Sequence, residues 1–274
     1  MDTPTPDPGS LSPAARACEQ RARALYGPAF SHRPGLLHVF SAVERAGWLH
    51  PLRIRPGVPR SDTDAFCLRL ARARADAIVT TGRCLREEPR VTHRFDGPRG
   101  GGADAWRREV LGRKEPPHSA VLTSGAALDF RHPLFHAGAP CLVFTRMEAV
   151  PRLASAARRA GVELVGVPEP DLAALLALLR TRGLETVSVE AGPSTARALY
   201  ERGPLPDEVL VSRFLGFEEP AGRPPPEPLL APPLLPRTRL EALYPIAAGT
   251  EVREPSGPWR FERRLRSEAG TPSP

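Results

Sequence analysis

The chain has 274 residues, and 41% of them are hydrophobic, so it can bury a substantial core in one large α/β domain or two small ones. Its 38 basic and 31 acidic side chains give a net charge of +7, yet Lys114 is the only lysine and the arginines are spread along the whole chain. A nucleic-acid interface needs a basic cluster with interleaved aromatic residues, and only 6% of the residues are aromatic, so composition argues against a nucleic-acid partner.

The sequence shows none of the usual features of a membrane or secreted protein. Its most apolar run, residues 172–179, is far shorter than the ~18 residues that cross a bilayer, which predicts a soluble protein. The N-terminus has Asp2, Asp7 and prolines but no apolar segment, which argues against a secretory signal and leaves a transit peptide open. The cysteines form no C-x-x-C pair, so we expect no metal site, no disulfide framework and a reducing, cytoplasmic environment.

Proline accounts for 34 residues, which are clustered rather than evenly spread. We assign residues 1–30 to a disordered or loosely packed tail, because its first part cannot bury enough apolar surface to offset the entropy of ordering. A glycine-rich loop follows at 97–102 and a proline-rich insertion at 220–237, whose leucine pairs fit either packing along a surface or a mobile loop. Residues 268–274 form a C-terminal tail.

Between these segments, the hydrophobic periods of strands alternate with those of helices. Ser61 and Asp64 have the spacing of a capping box at the start of one helix, and Asp171 opens another whose leucines follow a helical period. The alternation predicts a mostly parallel central sheet with helices on both faces and antiparallel strands toward the C-terminus, with 259–265 as an edge strand. The predicted strands are 36–40, 76–80, 119–123, 141–145, 162–165, 186–189, 207–214 and 259–265, and the predicted helices are 61–73, 148–160 and those beginning at Asp171 and near Ser194.

The strongest local motif runs from Val189 to Thr195, where a predicted strand ends and a helix begins. Gly192 would let the backbone approach a ligand, and the free amides at the helix start favour a phosphate oxygen. Glu190 would stand beyond the carboxyl end of the strand, where open α/β sheets bind ligands, and it could accept two hydrogen bonds from an amino-substituted heterocycle. The alternative is an ordinary strand-to-helix turn with an exposed glutamate.

A second motif joins the strand at 76–80 to a Thr/Gly turn and then to an acidic turn before Pro89. It could line a cofactor groove, although loops of this kind are common and indicate little alone.

A separate pair of histidines, His132 and His136, has Pro133 between them. This proline argues against a helical metal site and favours loop residues.

Together, five segments resemble the reductase domain of riboflavin biosynthesis, a family that includes the reductase half of a bifunctional deaminase-reductase. The resemblance implies a dihydrofolate-reductase-like α/β fold, which we assign to residues 31–267, and by analogy with the family a homodimer. The zinc motifs of the deaminase half, His-x-Glu and Pro-Cys-x-x-Cys, are absent from the sequence. The segments, which follow the family's order and spacing within 35–216, are Arg72 with 75–79, then 87–94, 120–124, 189–193 and 205–209.

The activity that this resemblance implies is an NADPH-dependent reduction, which opens the ribosylamine of a diaminopyrimidine ribose phosphate to a ribitylamine. The family's substrate-phosphate positions fall on Arg72 and Arg94, whose guanidiniums could grip a phosphate. Val91 would supply a backbone contact, and Glu190 would meet the pyrimidine. No catalytic side chain is assigned, because the hydride chemistry belongs to the cofactor. The cofactor positions fall on Gly82, Arg83, Glu87, Ser124, Gly192, Pro193, Ser194 and Thr195.

Several residues around these positions depart from the family pattern. The Gly-x-Gly-Thr turn is replaced by residues 80–83 and is one residue shorter, so Arg83 could either pair with a cofactor phosphate or block it. The Ser-x-Asp-Gly motif after the first strand lacks its aspartate, and the next acidic turn has become Glu87-Glu88-Pro89. The second hypothesis is therefore a relative that keeps the fold but acts as a nucleotide-binding or scaffold protein, and an arginine-rich RNA-binding module ranks last.

Overall fold

The computed structural model describes residues 11–28, 30, 34–95, 101–125, 128–217 and 229–267. Eleven strands of this part of the chain form a single sheet, with helices packed on both of its faces. The strands are β1 (Leu36–Arg45), β2 (Trp48–Pro51), β3 (Ala77–Thr81), β4 (His118–Leu122), β5 (Cys141–Arg146), β6 (Glu163–Val167), β7 (Val187–Val189), β8 (Glu208–Phe214), β9 (Leu235–Pro236), β10 (Ile246–Glu254) and β11 (Gly257–Leu265). The helices are α1 (Pro13–Tyr26), α2 (Asp62–Arg74), α3 (Gly82–Glu87), α4 (Ala103–Glu109), α5 (Val150–Arg159), α6 (Leu172–Thr181), α7 (Pro193–Glu201) and α8 (Arg237–Leu243).

The strand order across the sheet is β10-β11-β8-β1-β7-β3-β4-β5-β6, with β2 beside β1 and β9 beside β2. All neighbouring pairs from β8 to β6 are parallel, whereas β11 runs antiparallel to β8 and β10 antiparallel to β11. The predicted α/β class, with a mostly parallel sheet and antiparallel strands toward the C-terminus, is confirmed. The prediction that 259–265 forms the edge is wrong, because β10 covers β11. Polar residues interrupt β10, so it shows no clear apolar alternation.

Two layers of helices cover the two faces of the sheet. Apolar residues of α1, α2 and α4 pack with Leu37, Val43 and Leu210 on one face, and residues of α6, α7 and α8 pack on the other. The predicted leucine stripe of α6 lies fully in the second layer. Each such leucine contributes on the order of 1.5–3 kcal/mol when it is fully buried.

Local capping explains where the helices begin. The Ser61 hydroxyl accepts a hydrogen bond from the Asp64 amide at 2.8 Å, and the Asp171 carboxylate accepts one from the Ala174 amide at 2.7 Å. The Asp64 carboxylate does not complete a reciprocal capping box, because it accepts the Ser41 hydroxyl hydrogen at 2.7 Å instead. This contact ties the start of α2 to β1.

The N-terminal tail is shorter than predicted, because residues 13–26 form α1. Ser12 caps this helix, and Pro13 occupies its first turn, where a proline is tolerated. Its Glu19 accepts a hydrogen bond from the indole of Trp106 on α4 at 2.5 Å, and Tyr26 is fully buried. The disordered or loosely packed prediction is therefore wrong for this helix, and residues 1–10 lie outside the described part.

The described end of the proline-rich insertion packs on the sheet rather than standing free. Leu230, Leu234 and Leu235 are buried, Leu230 bridges to Leu52, and β9 pairs with β2. Residues 229–237 therefore pack along a surface, which was the first of the two alternatives, rather than form a mobile loop. Residues 218–228 lie outside the described residues, as do 96–100 of the glycine-rich loop.

The four cysteines are free and buried. Burial raises the pKa of Cys18 and Cys141 to about 12, so both stay protonated thiols near neutral pH. Across the described segments, no helix has the length and apolar character needed to cross a membrane.

Candidate active site

The strand connections predict a crevice at the carboxyl end of β7, which lies between β1 and β3. All three strands are parallel there, so their carboxyl ends lie at the same edge of the sheet. From β3 the chain continues to β4 on one side, whereas from β7 it passes through α7 to β8 on the other side. Such a divergence of connections opens a cleft at the strand ends and is the usual ligand site of open α/β sheets.

Glu190 lies in this crevice as the first residue after β7. Its amide donates to the Val79 carbonyl at 2.8 Å, and the Thr80 hydroxyl donates to its carbonyl at 3.3 Å, which anchor its backbone to β3. Val189 packs in the layer of α6 and α7, and side chains alternate along a strand, so Glu190 faces the opposite layer, where α2 lies.

Arg72 in the last turn of α2 meets Glu190 in a two-pronged ion pair. Its Nε donates to the two carboxylate oxygens at 2.9 and 3.0 Å, and its Nη2 donates to Oε2 at 2.6 Å. Both side chains are only 11% exposed. Burial alone would lower the pKa of Arg72, but the charge and hydrogen bonds of Glu190 outweigh it and raise this pKa. The structure therefore brings two predicted site residues into direct contact.

The other predicted substrate residues follow α3. The Arg94 carbonyl lies 3.5 Å from Arg72 Nη1, and the Arg94 side chain is exposed. Val91 is half-buried, and its amide donates to the Glu88 carbonyl at 3.1 Å. Burial, and then the charge of Glu190, raise the pKa of Glu88, so a second carboxyl group lies within the electrostatic reach of the pair.

His93 is a residue of this site that the sequence analysis did not identify. It is buried in a left-handed conformation at φ +57°, and its Nδ1 lies 3.0 Å from the Ser119 hydroxyl on β4. Burial, with Arg72 and His132 nearby, lowers its pKa well below the ordinary value, so it is neutral at physiological pH. The sequence shows only a histidine between Thr92 and Arg94, and nothing in that pattern indicates its burial or its contacts.

Most of the predicted cofactor residues lie at the starts of α3 and α7. Thr81 caps α3 through its hydroxyl, and Gly192 is the N-cap of α7. A Cβ atom placed on Gly192 would lie 3.8 Å from the Cys84 Sγ, so the starts of α3 and α7 are neighbours. Pro193, Ser194 and Thr195 form the first turn of α7, and Ser124 is exposed just beyond β4.

Arg83 and Glu87 do not point into a buried site. They form an ion pair on the surface of α3 at 2.8 Å, and their side chains are 66% and 63% exposed.

The two histidines His132 and His136 each contact a backbone carbonyl. His132 contacts the Glu88 carbonyl at 3.0 Å and His136 contacts the Phe130 carbonyl at 2.9 Å. Among the described residues, no group of three or more His, Cys, Asp or Glu side chains is arranged to hold a metal ion.

We expect Gly82→Ala to lower the free energy of unfolding by about 1–3 kcal/mol, as overpacking of a close-packed interior does. A Cβ atom at this position would lie 2.7 Å from Thr123 Oγ1, and that hydroxyl already accepts the Gly125 amide. Gly192→Ala is the matched control, because its Cβ atom would make only an ordinary contact with Cys84. Urea denaturation of both variants checks the prediction, and equal stabilities would contradict it.

Several solved structures share this fold at low sequence identity. A pyrimidine reductase-like protein of Corynebacterium diphtheriae is 20% identical, with a TM-score of 0.64 over 90% of this chain and 99% of its own. RibD of Acinetobacter baumannii is 12% identical, with a TM-score of 0.57 over 91% of this chain and 62% of its own. The riboflavin biosynthesis reductase of Saccharomyces cerevisiae is 13% identical, with a TM-score of 0.51 over 89% and 96%. These likenesses confirm the predicted reductase-type fold.

The sequence itself identifies the family. No curated protein matches it at a significant level. The family model described as the RibD C-terminal domain matches residues 56–214, which is more than half of the chain and includes both Arg72 and Glu190. This match confirms the resemblance seen in the sequence. The chain therefore belongs to the RibD C-terminal domain family, a family of reductases of the riboflavin pathway.

Proposed function

We propose that this chain is an NADPH-dependent reductase of a phosphorylated ribosylamine of an amino-substituted pyrimidine, or of a related small heterocycle. The observation that carries the proposal is the position of Glu190, paired with Arg72 at the carboxyl edge of the sheet and followed at once by the glycine turn into α7. A carboxylate, a guanidinium and a helix start would thus line one ligand-binding crevice. Family membership supports the reductase activity.

The carboxylate of Glu190 suits the heterocyclic end of such a substrate. Both of its oxygens can accept hydrogen bonds, and the amino groups and ring N–H of an aminopyrimidine present donors side by side. Its backbone is anchored to β3 and its side chain is only 11% exposed, so its direction is set before the ligand arrives. Hydrogen bonds to a carboxylate are stronger than neutral ones, which favours this contact as the specificity element.

Arginines suit the phosphate end. Arg72 presents a planar fork that matches two phosphate oxygens, and Arg94 lies next to it through its backbone carbonyl. Val91 lies in the same segment and would contact the ligand through its carbonyl, because its amide is bonded to the Glu88 carbonyl. Together these residues would orient the ribosyl carbon between the two ends, which is the protein's main contribution to a reaction whose chemistry the cofactor carries out.

The start of α7 fits a cofactor phosphate. Gly192 leaves its surface unobstructed except for Cys84, and Pro193 has no N–H. The amides of Thr195 and Ala196 donate hydrogen bonds to the Gly192 carbonyl. The Ser194 amide therefore remains at the positive end of the helix dipole, where it can bind an anion. When bound there, NADPH supplies the hydride. Ser124 lies beyond the carboxyl end of β4, two strands from β7, where it would contact the same nucleotide.

The full chain, supplied with NADPH and a ribosylamino-pyrimidine phosphate, is expected to oxidise one NADPH for each ribitylamine formed. The measurement follows NADPH absorbance together with the product by mass spectrometry. Bound cofactor and bound substrate with no ribitylamine product would contradict the proposed reaction.

The variant Arg83→Thr tests whether Arg83, which lies in the shortened turn, attracts the cofactor phosphates or blocks them. Because Arg83 is 66% exposed and turned onto Glu87, we expect it to attract the cofactor phosphates rather than block them. The variant should bind NADPH about three- to tenfold more weakly by calorimetry, with an unchanged melting temperature. Arg131→Thr, which removes a still more exposed arginine paired with Asp129, is the control. Tighter NADPH binding by Arg83→Thr would mean that Arg83 obstructs the site.

A second candidate is a relative that binds the nucleotide without reducing a substrate. The observation that favours it is the engagement of Arg72 by Glu190, which occupies a phosphate-binding residue with a protein carboxylate. Under this alternative, NADPH binds saturably, but no ribosylamine substrate binds and none is reduced. The same binding and product measurements therefore separate the two candidates.

A further inference from the structure

The side chains proposed for the two ends of the substrate are bonded to each other. Glu190 uses both carboxylate oxygens to accept hydrogen bonds from Arg72 Nε and Nη2 at 2.6–3.0 Å. The remaining nitrogen of Arg72, Nη1, faces the Arg94 carbonyl at 3.5 Å. Glu190 therefore occupies the Nε–Nη2 edge of the guanidinium, and a phosphate must displace Glu190 to bind that edge with two hydrogen bonds.

Displacing only one member of this pair is unfavourable. Both side chains are 11% exposed, and taking one partner from an ion pair shielded in this way leaves an uncompensated charge. Glu88 adds to the penalty, because its carboxyl group is close enough to Glu190 for their charges to interact, with Arg72 as the compensating cation. A Glu190 carboxylate deprived of Arg72 would thus face a second acidic group.

We propose that the Arg72–Glu190 pair is a lock that opens only for a ligand with two ends, an anionic group that takes Arg72 and a hydrogen-bond-donating heterocycle that takes Glu190. The proposal rests on the proposed function for the identity of these ends, and it adds that neither end binds well alone. Free phosphate binds weakly because it leaves the charge of Glu190 uncompensated. A phosphate-free heterocycle binds weakly because it leaves the charge of Arg72 uncompensated. The pair thereby selects the intact substrate over its fragments.

The first test measures the binding of inorganic phosphate to the full chain by calorimetry, without NADPH. Glu190→Gln keeps the shape of the side chain but removes the charge that holds Arg72, so phosphate should bind at least tenfold more tightly than to the unaltered protein. The matched control is Glu163→Gln. Glu163 also forms a two-pronged pair with Arg182, at 2.6 and 2.8 Å, but lies on β6 at the far edge of the sheet.

Both substitutions raise the net charge by one, so a nonspecific electrostatic effect would be the same in each. A gain confined to Glu190→Gln supports the lock, and it should disappear in the double variant that also carries Arg72→Ala. No gain in Glu190→Gln, an equal gain in Glu163→Gln, or a gain that survives Arg72→Ala would overturn the proposal. Thermal unfolding of each variant verifies that it is folded.

The second test uses the unaltered protein and two fragments. Saturating diaminopyrimidine should raise the affinity for inorganic phosphate at least fivefold, because it supplies Glu190 with partners and releases Arg72. The same coupling should be lost in Glu190→Gln, and independent binding of the fragments to the unaltered protein would overturn the lock. These readouts need neither cofactor nor turnover, so a failed lock is distinguishable from a failed reductase assignment.

Discussion

Replacing Glu208 with alanine is expected to lower the free energy of unfolding by about 3–5 kcal/mol, as removing one partner of a buried ion pair does. Glu208 lies on β8 with its side chain 1% exposed. Its carboxylate accepts hydrogen bonds from Arg74 at 2.8 and 3.0 Å and from Arg263 at 2.8 Å, and these two arginines are 2% and 5% exposed. The substitution leaves two buried guanidiniums without their shared anion, between α2 and the sheet.

Urea denaturation of the variant and the unaltered chain measures this loss. Glu163→Ala is the control, because the Glu163–Arg182 pair lies on the surface, where such pairs contribute about 0–1 kcal/mol. Losses of similar size for the two variants would show that the Glu208 cluster contributes no more than a surface pair.

The same cluster predicts a pH dependence of stability. Burial alone would raise the pKa of Glu208, but Arg74 and Arg263 outweigh it and hold this pKa below the ordinary value of 4.5. The cluster's contribution is therefore fully present above pH 4.5 and is lost as the pH falls through the lower pKa of the folded state. Acid titration should show the stabilities of the unaltered chain and Glu208→Gln converging below that pH. A difference in stability between the two proteins that stays constant with pH would contradict a lowered pKa of Glu208.

Glu190→Gln is expected to lower kcat/KM for the ribosylamine substrate by about ten- to a hundredfold, the range for losing hydrogen bonds to a charged group. The dissociation constant of NADPH should stay within about twofold, because the cofactor is expected at the starts of α3 and α7 rather than on the α2 side. Steady-state kinetics and a cofactor titration measure the two effects separately. Equal losses for substrate and cofactor would contradict the assignment of Glu190 to the heterocycle.

The central sheet was predictable because its strands are buried on both faces. The bounds predicted for β3, β5 and β8 differ from the observed ones by at most one residue. Such strands are short continuous apolar runs between polar turns, and the alternation of strands with helices requires a parallel sheet. The class of fold followed from local patterns alone.

Elements held by distant contacts were not predictable in this way. α1 begins within a proline-rich segment, and its Glu19 is anchored by Trp106, which is 87 positions away. β10 has no clear apolar alternation and is ordered by pairing with β11. Their stability comes from tertiary packing, which overrides local composition.

The sequence suggested residues for the candidate site but not how they are arranged. The resemblance predicts that Arg72 and Glu190 contact the two ends of a substrate. It did not predict that they pair with each other, because they are 118 positions apart in the sequence. The left-handed backbone of His93 had no signal either, because only the folded chain requires it at that position.

The most direct test of the account is a titration of the full chain with NADPH, followed by fluorescence and thermal unfolding. The crevice at the carboxyl end of β7 predicts a single saturable transition and a rise in melting temperature as the cofactor fills the site. Absence of any saturable change up to millimolar NADPH would contradict the assignment of this chain as an NADPH-dependent reductase.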